Sequence, residues 1–288
     1  MKINFKKIFE NLEKEDLNLM FSSSKNFEKN FIGELNRNKN GLHLSRILIS
    51  KTMSNLRKLS NEKIDDCFEK NGFSIFPNFL EIEDFELLRN ECRSAVEKDN
   101  CSNYVLNNDN LKYLSNCSKF LRSKNLLDVL NSCSSLNIKC LKLGDACKLK
   151  IQNLTRKEND IETVPHSDTF FDSYKYWYFM QDTNEENGAF KYLKGSNNLS
   201  LERIEKEYEL SISYENFDDR TKQGSFRFPL ERPESICVSQ NTLIIANVFG
   251  IHCRGNISPH KERLSLHGEI RANPFELELN DVSNMKFI

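Results

Sequence analysis

The stretch 164–197, VPHSDTFFDSYKYWYFMQDTNEENGAFKYLKGSN, decides the fold. Two apolar, aromatic-rich runs, residues 174–182 and 189–196, flank an Asn187-Gly188 turn signal, the pattern of strands rather than helix. Just before them stands His166-x-Asp168. In an extended segment, side chains at i and i+2 project to the same side, so this imidazole and this carboxylate can converge on one ion. Taken alone, a His-x-Asp pair reads first as a loop histidine hydrogen-bonded to a carboxylate.

Outward from this stretch the chain divides by texture. On the C-terminal side, SICVSQ (235–240), NTLIIANVFGIH (241–252) and RLSLHGEIRA (263–272) read as further strands, with a charged helix at about 199–212 before them. On the N-terminal side, 138–154 holds two alternating runs around Gly144-Asp145, and 100–137 is Ser/Asn/Leu-rich and reads as short helices. Residues 62–72 form a helix closed by Gly72, FSIFPNFL (73–80) a short strand broken by Pro77, and 81–99 a long amphipathic helix with acidic residues in its first turn. Helices first and strands second imply an α+β, mainly β fold: a sandwich or barrel with helices on one face. Residues 1–60 form a helical N-terminal extension, with Phe5, Ile8, Phe9 and Leu12 at helical spacing and a second such stretch at 42–60; packing on the main domain is the expected role. Residues 61–288 form the main domain.

Composition narrows the class without naming a chemistry. The 288 residues carry 41 Lys and Arg against 42 Asp and Glu, a net charge of −1, which gives no footprint for a general nucleic-acid binder. A 38% hydrophobic content with 21 Phe excludes a disordered chain. Nine cysteines, an odd number without a CxxC pair, are not a disulfide framework. With no signal peptide and no long apolar run, the expected setting is the cytoplasm, with no membrane and no nucleic-acid partner.

Five histidines can each be weighed. His252, 84 positions beyond Asp168, ends the apolar run 241–252. Two imidazoles and one carboxylate on one face of a metal leave its remaining positions open, the arrangement of non-haem Fe(II) oxygenases. Arg263, 11 positions after His252, opens the next strand, with Ser265 on the same face; a guanidinium grips a carboxylate bidentately, and a hydroxyl adds a donor. His260 and His267 are rival third ligands, and a zinc site from His252, Cys253 and His260 is conceivable. His43 has no evident partner and reads as a surface helix residue. The aromatics of 170–178 divide between core and pocket by strand alternation. Lys148 and Lys150 alternate on a strand and are left without a role.

His166-Ser167-Asp168, the following YWYFMQDTNEENGAFKYLKGSN, His252 and Arg263, in that order, resemble the phytanoyl-CoA dioxygenase family of Fe(II)/2-oxoglutarate oxygenases. The upstream FEKNGFSIFPNFLEIEDFELLR is similar to that family's opening helix and strand, and the resemblance spans roughly residues 61–275. It implies a double-stranded β-helix (jelly-roll, cupin-like) core with flanking helices. His166, Asp168 and His252 match the metal ligands, Arg263 the residue that holds the distal carboxylate of 2-oxoglutarate, Ser265 a helper, and Asn153 a co-substrate contact of some relatives. The implied cofactors are Fe(II), 2-oxoglutarate and O₂. The implied reaction hydroxylates an unactivated C–H bond of a small-molecule metabolite and releases succinate and CO₂. Desaturation, epimerisation or ring formation at the same centre, and a non-catalytic jelly-roll binding protein, stay open, as does the oligomeric state. Where the family has Pro-Gly-Ser-His, this chain has Lys194-Gly195-Ser196-Asn197, a departure on the substrate side. The substrate pocket is expected to come from loops around 100–137 and 213–234.

Overall fold

The structure is a computed structural model, which describes residues 10, 12, 14, 16–21, 36–59, 65–134, 136, 138, 139, 141–144, 147–213, 226–271, 274 and 275. In chain order the helical first part runs α1 (Asp16–Met20), α2 (Leu42–Leu59), α3 (Asp66–Asn71), β1 (Phe73–Phe76), α4 (Ile82–Lys98), β2 (Asn103–Leu106), α5 (Asn108–Leu111), α6 (Ser115–Leu121) and α7 (Lys124–Cys133). Strands then dominate: β3 (Cys147–Thr155), β4 (His166–Ser167), β5 (Tyr174–Phe179), β6 (Phe190–Tyr192), α8 (Leu201–Ser211), β7 (Phe226–Arg227), β8 (Glu234–Ile236), β9 (Thr242–Asn247), β10 (His252–Arg254) and β11 (Glu262–Ile270).

Local chemistry explains the helix ends. Asp65 caps α3 by accepting from the Cys67 N–H, and Gly72 closes it at φ 85°, a left-handed conformation that costs glycine nothing. Ser123 and Ser200 cap α7 and α8 in the same way. Phe85, Leu88 and Cys92 recur at helical spacing on α4 and are buried, so the helix lays one apolar face on the sheet.

Two antiparallel sheets face each other, ordered β1-β9-β5-β11-β3-β2 and β7-β4-β10-β6-β8. From β3 to β6 and from β9 to β11 successive strands alternate between the sheets, which is the jelly-roll winding. Alternation along each strand then makes two cores. Tyr176, Tyr178, Ile245, Leu264, Leu266 and Ile151 point out of the larger sheet against α4, α6 and α7. Trp177, Phe179, Ile244 and Ala246 point inward to meet Phe190 and Tyr192 of the smaller sheet. Gly268, in the middle of β11, has no room for a side chain, since a Cβ there would overlap the Tyr176 ring. Leu266 is fully buried. Leu266→Ala is expected to cost about 2–5 kcal/mol, read as a lower urea midpoint at unchanged slope; an unchanged midpoint would show that this face of β11 carries little of the core.

Several expectations are corrected. Residues 174–182 and 189–196 are not partners across a hairpin: β5 pairs with β9 and β11, whereas β6 pairs with β8 and β10. Gly188 does turn at φ 79°, but the turn carries the chain from one sheet to the other. The run 241–252 is two strands, because the chain leaves β9 after Asn247 and enters the opposite sheet at His252. The region 138–154 contributes one strand, β3, and 100–137 contains the strand β2 besides its helices.

Helix α2 packs through buried polar groups as well as Leu44 and Ile47. His43 is a correction too: it is 1% exposed, its Nε2 is 3.0 Å from Glu207 of α8, and Arg203 pairs with the same carboxylate. Lys51 pairs with Asp172, which also accepts from Ser54 at 2.6 Å and Asn247 at 2.7 Å. Phe5, Ile8 and Phe9 lie outside the described residues. No described helix is long and apolar enough to cross a membrane.

Candidate metal centre

His166 on β4 and His252 on β10 are direct cross-strand partners, which brings their rings to 4.7 Å between centroids. The chain leaves β4 immediately, and Asp168, whose N–H donates to the Val248 carbonyl, turns its carboxylate between them. His166 Nε2 is 3.5 Å from Asp168 Oδ1, and His252 Nε2 is 3.6 Å from Oδ2. One ligand atom from each of the three residues lies within 4.8 Å of the others. Both rings are oriented from behind: Nδ1 of His166 is 2.8 Å from the Val164 carbonyl and Nδ1 of His252 is 2.9 Å from the Gly250 carbonyl. A carbonyl only accepts, so each Nδ1 carries a proton and each Nε2 is left facing Asp168 as the atom able to bind a metal. Two neutral imidazole nitrogens and one carboxylate make a donor set that suits a divalent transition metal.

The electrostatics agree. Burial works to raise the Asp168 carboxyl, but Lys175 and His252 outweigh it and hold it well below the usual carboxylate range. Burial pushes His252 down, against the pull of Asp168, so its imidazole is neutral near pH 7. Lys175, on the inner face of β5, pairs with Asp168 and lies 4.0 Å from Glu269. That partner was missed from sequence. Its signal is a single charge inside YKYWYF, a strand covered on both faces.

These residues open on a cavity of about 580 Å³, within the usual size for a small-molecule site. Arg263 reaches its wall, 3% exposed, with one terminal nitrogen donating to the Gly188 carbonyl. Burial, with a smaller push from Arg254, brings its pKa down to about 9. Its Nε is buried without a hydrogen-bond partner, and so is Oγ of Ser265, two residues on along the same face. An unpaired buried donor costs about 1–3 kcal/mol, which an incoming carboxylate would recover at Arg263. The site thus fits a dicarboxylate at Arg263 as it fits a metal at the triad.

Other expected residues are placed differently. Asn153 does not reach the cavity: it donates to Glu262 at 3.0 Å, while its neighbours Gln152 and Leu154 line the wall. Ser265 is completely buried between Arg263 and His267 and is not at the cavity wall. His260 is exposed in a loop, and His267 lines the cavity beside Trp177, outside the triad. Cys253 lines the same cavity, although burial raises its thiol to about 11. The mouth is formed by Ser102, Asn103 and the segment from Thr155 to Glu162, so of the expected loops only 100–137 contributes among the described residues.

No protein-family model matches the chain, and no curated protein matches it by sequence. Among solved structures the chain is similar to the epimerase SnoN in complex with Fe3+, alpha ketoglutarate and nogalamycin RO, at 13% identity and a TM-score of 0.49, covering 77% of this chain and 84% of that one. It is similar to HygX from Streptomyces hygroscopicus with nickel and 2-oxoglutarate bound, at 13% identity and a TM-score of 0.48, covering 70% and 84%. It is also similar to EctD from S. alaskensis with 2-oxoglutarate and 5-hydroxyectoine, at 11% identity and a TM-score of 0.45, covering 76% and 79%.

Proposed function

We propose that this chain is an Fe(II)- and 2-oxoglutarate-dependent oxygenase acting on a small molecule, related to the phytanoyl-CoA dioxygenase family. One observation carries this: His166, Asp168 and His252 converge with two Nε2 atoms aimed at one point, in the same cavity as an Arg263 whose buried Nε lacks a partner. Bound there, ferrous iron with 2-oxoglutarate and O₂ would supply a two-electron oxidation of an unactivated C–H bond, with release of succinate and CO₂. His166 and His252 would hold the ion through Nε2, each kept in its tautomer by a backbone carbonyl. Asp168 supplies the anionic ligand, and Lys175 keeps that carboxylate ionised. Arg263 orients the far carboxylate of the co-substrate, and the packed rings of Trp177 and Phe190 exclude water from one side. An intact Asp168 leaves no space for a halide in its place, which favours hydroxylation or a related oxidation.

Anaerobic addition of Fe(II) and then 2-oxoglutarate should produce a metal-to-ligand absorption band, and admission of O₂ should release succinate. His166→Ala should abolish the band. If wild type gives neither band nor succinate with broad pools of small molecules, the oxygenase reading fails; if the band survives in His166→Ala, that ligand is misassigned.

A further inference from the structure

The inner face of the larger sheet carries a second polar cluster, displaced from Arg263. Lys150 of β3 is opposite His267 of β11, and His267 is opposite Trp177 of β5. All three line the cavity, and the His267 and Trp177 rings lie 5.3 Å apart between centroids. Arg263 stands four residues earlier on β11, opposite Leu154, so its backbone is about 13 Å from that of His267 along an extended strand.

Among the described residues no carboxylate forms an ion pair with Lys150: nearby Asp168 is taken by Lys175, Glu269 by Arg271 and Asp160 by Arg254, while Glu162 lies against His166. Six lysine and arginine side chains line the cavity against three carboxylates, although the whole chain is nearly neutral. A divalent ion and a doubly charged co-substrate cancel each other, so that surplus would persist when both are bound. Burial, and then the Lys175 ammonium, push Lys150 down from its ordinary value, a cost that a bound anion would offset.

We propose that Lys150, with His267 beside it, forms a subsite for an anionic group, carboxylate or phosphate, on the small molecule that this cavity oxidises, and that Trp177 walls the adjoining apolar part. It rests on the oxygenase reading for calling that molecule the substrate; the anion subsite itself does not.

Trp177 is the only tryptophan of the chain, so its fluorescence reports on this subsite directly. Full-length protein without metal is titrated with inorganic phosphate and with acetate at fixed ionic strength, acetamide serving as the neutral counterpart. Both anions should give a saturable change and acetamide none. Lys150→Met should raise the half-saturation concentration about tenfold or more and Lys150→Arg should stay within about threefold of wild type, whereas Arg263→Met, which removes the cavity's other carboxylate-binding group, should raise it by less than Lys150→Met does. An absent anion response, an equal response to acetamide, an unchanged titration in Lys150→Met, or a response lost only in Arg263→Met would each overturn the subsite. An intact 2-oxoglutarate band with no Lys150-dependent titration sinks the subsite alone. A missing band with an intact titration sinks the oxidation and leaves the anion site standing.

Discussion

Asp168→Ala is expected to lower affinity for Fe(II) or Mn(II) by more than the 10–100-fold that loss of a mere ligand-orienting partner costs. Asp168 is the sole anionic member of the triad, and it sits 3.5 and 3.6 Å from the two imidazole Nε2 atoms. The same substitution should also destabilise the metal-free protein by about 3 kcal/mol, because Lys175 is buried and would keep only Glu269, 4.0 Å away. The two effects separate in a double variant. Adding Lys175→Met removes the stranded ammonium, so urea stability should recover while metal affinity stays lost. Calorimetric titration with Mn(II), paired with urea melts, reads both. Metal affinity within tenfold of wild type in Asp168→Ala would remove Asp168 from the ligand set.

The second large effect is expected at Asp172, far from this chemistry. Its side chain is 1% exposed, and its carboxylate is shared by Lys51 and Ser54 of α2 and by Asn247 of β9. Asp172→Ala strands the Lys51 ammonium beneath α2 and should cost about 3–5 kcal/mol in urea melts. Burial acts to raise this carboxyl, but Lys51 and Lys58 outweigh it and hold it below the usual range. The folded state therefore releases this proton more readily than the unfolded chain, whose aspartate titrates near about 3.9. Its contribution is complete above that value and is lost as pH falls through it toward the lower folded one. Between pH 5 and pH 3 wild type should lose more stability than Asp172→Ala. Equal losses would mean that the pair does not couple to protons.

How much of this was legible beforehand varies residue by residue. That His166, Asp168 and His252 could meet was legible because imidazole and carboxylate carry their ligand chemistry wherever they stand, and Arg263, which reaches the same cavity, was legible by its charge. Asn153 shows the opposite case: the strand was right and the face was wrong. Alternate residues of β3 face opposite ways, so Lys150, Gln152 and Leu154 line the cavity while Asn153 meets Glu262. His267 was open to discovery by the same parity, since residues 263, 265 and 267 share one face. His43 was not, because its partner Glu207 is 164 positions away and nothing local marks it.

By itself, the sequence determined most of the element types, the helix stop at Gly72, the Asn187-Gly188 turn and the kinds of donor at the centre, all of which depend on side-chain chemistry or on neighbours a few residues away; the strand β2 was not among them. Only the tertiary structure decided that the two runs beside that turn belong to different sheets, that His166 and His252 are direct cross-strand partners, and that Lys175 answers Asp168. The reason is physical: strand partners and inner faces are set by register between distant segments, and a shift of one residue turns every side chain to the other side.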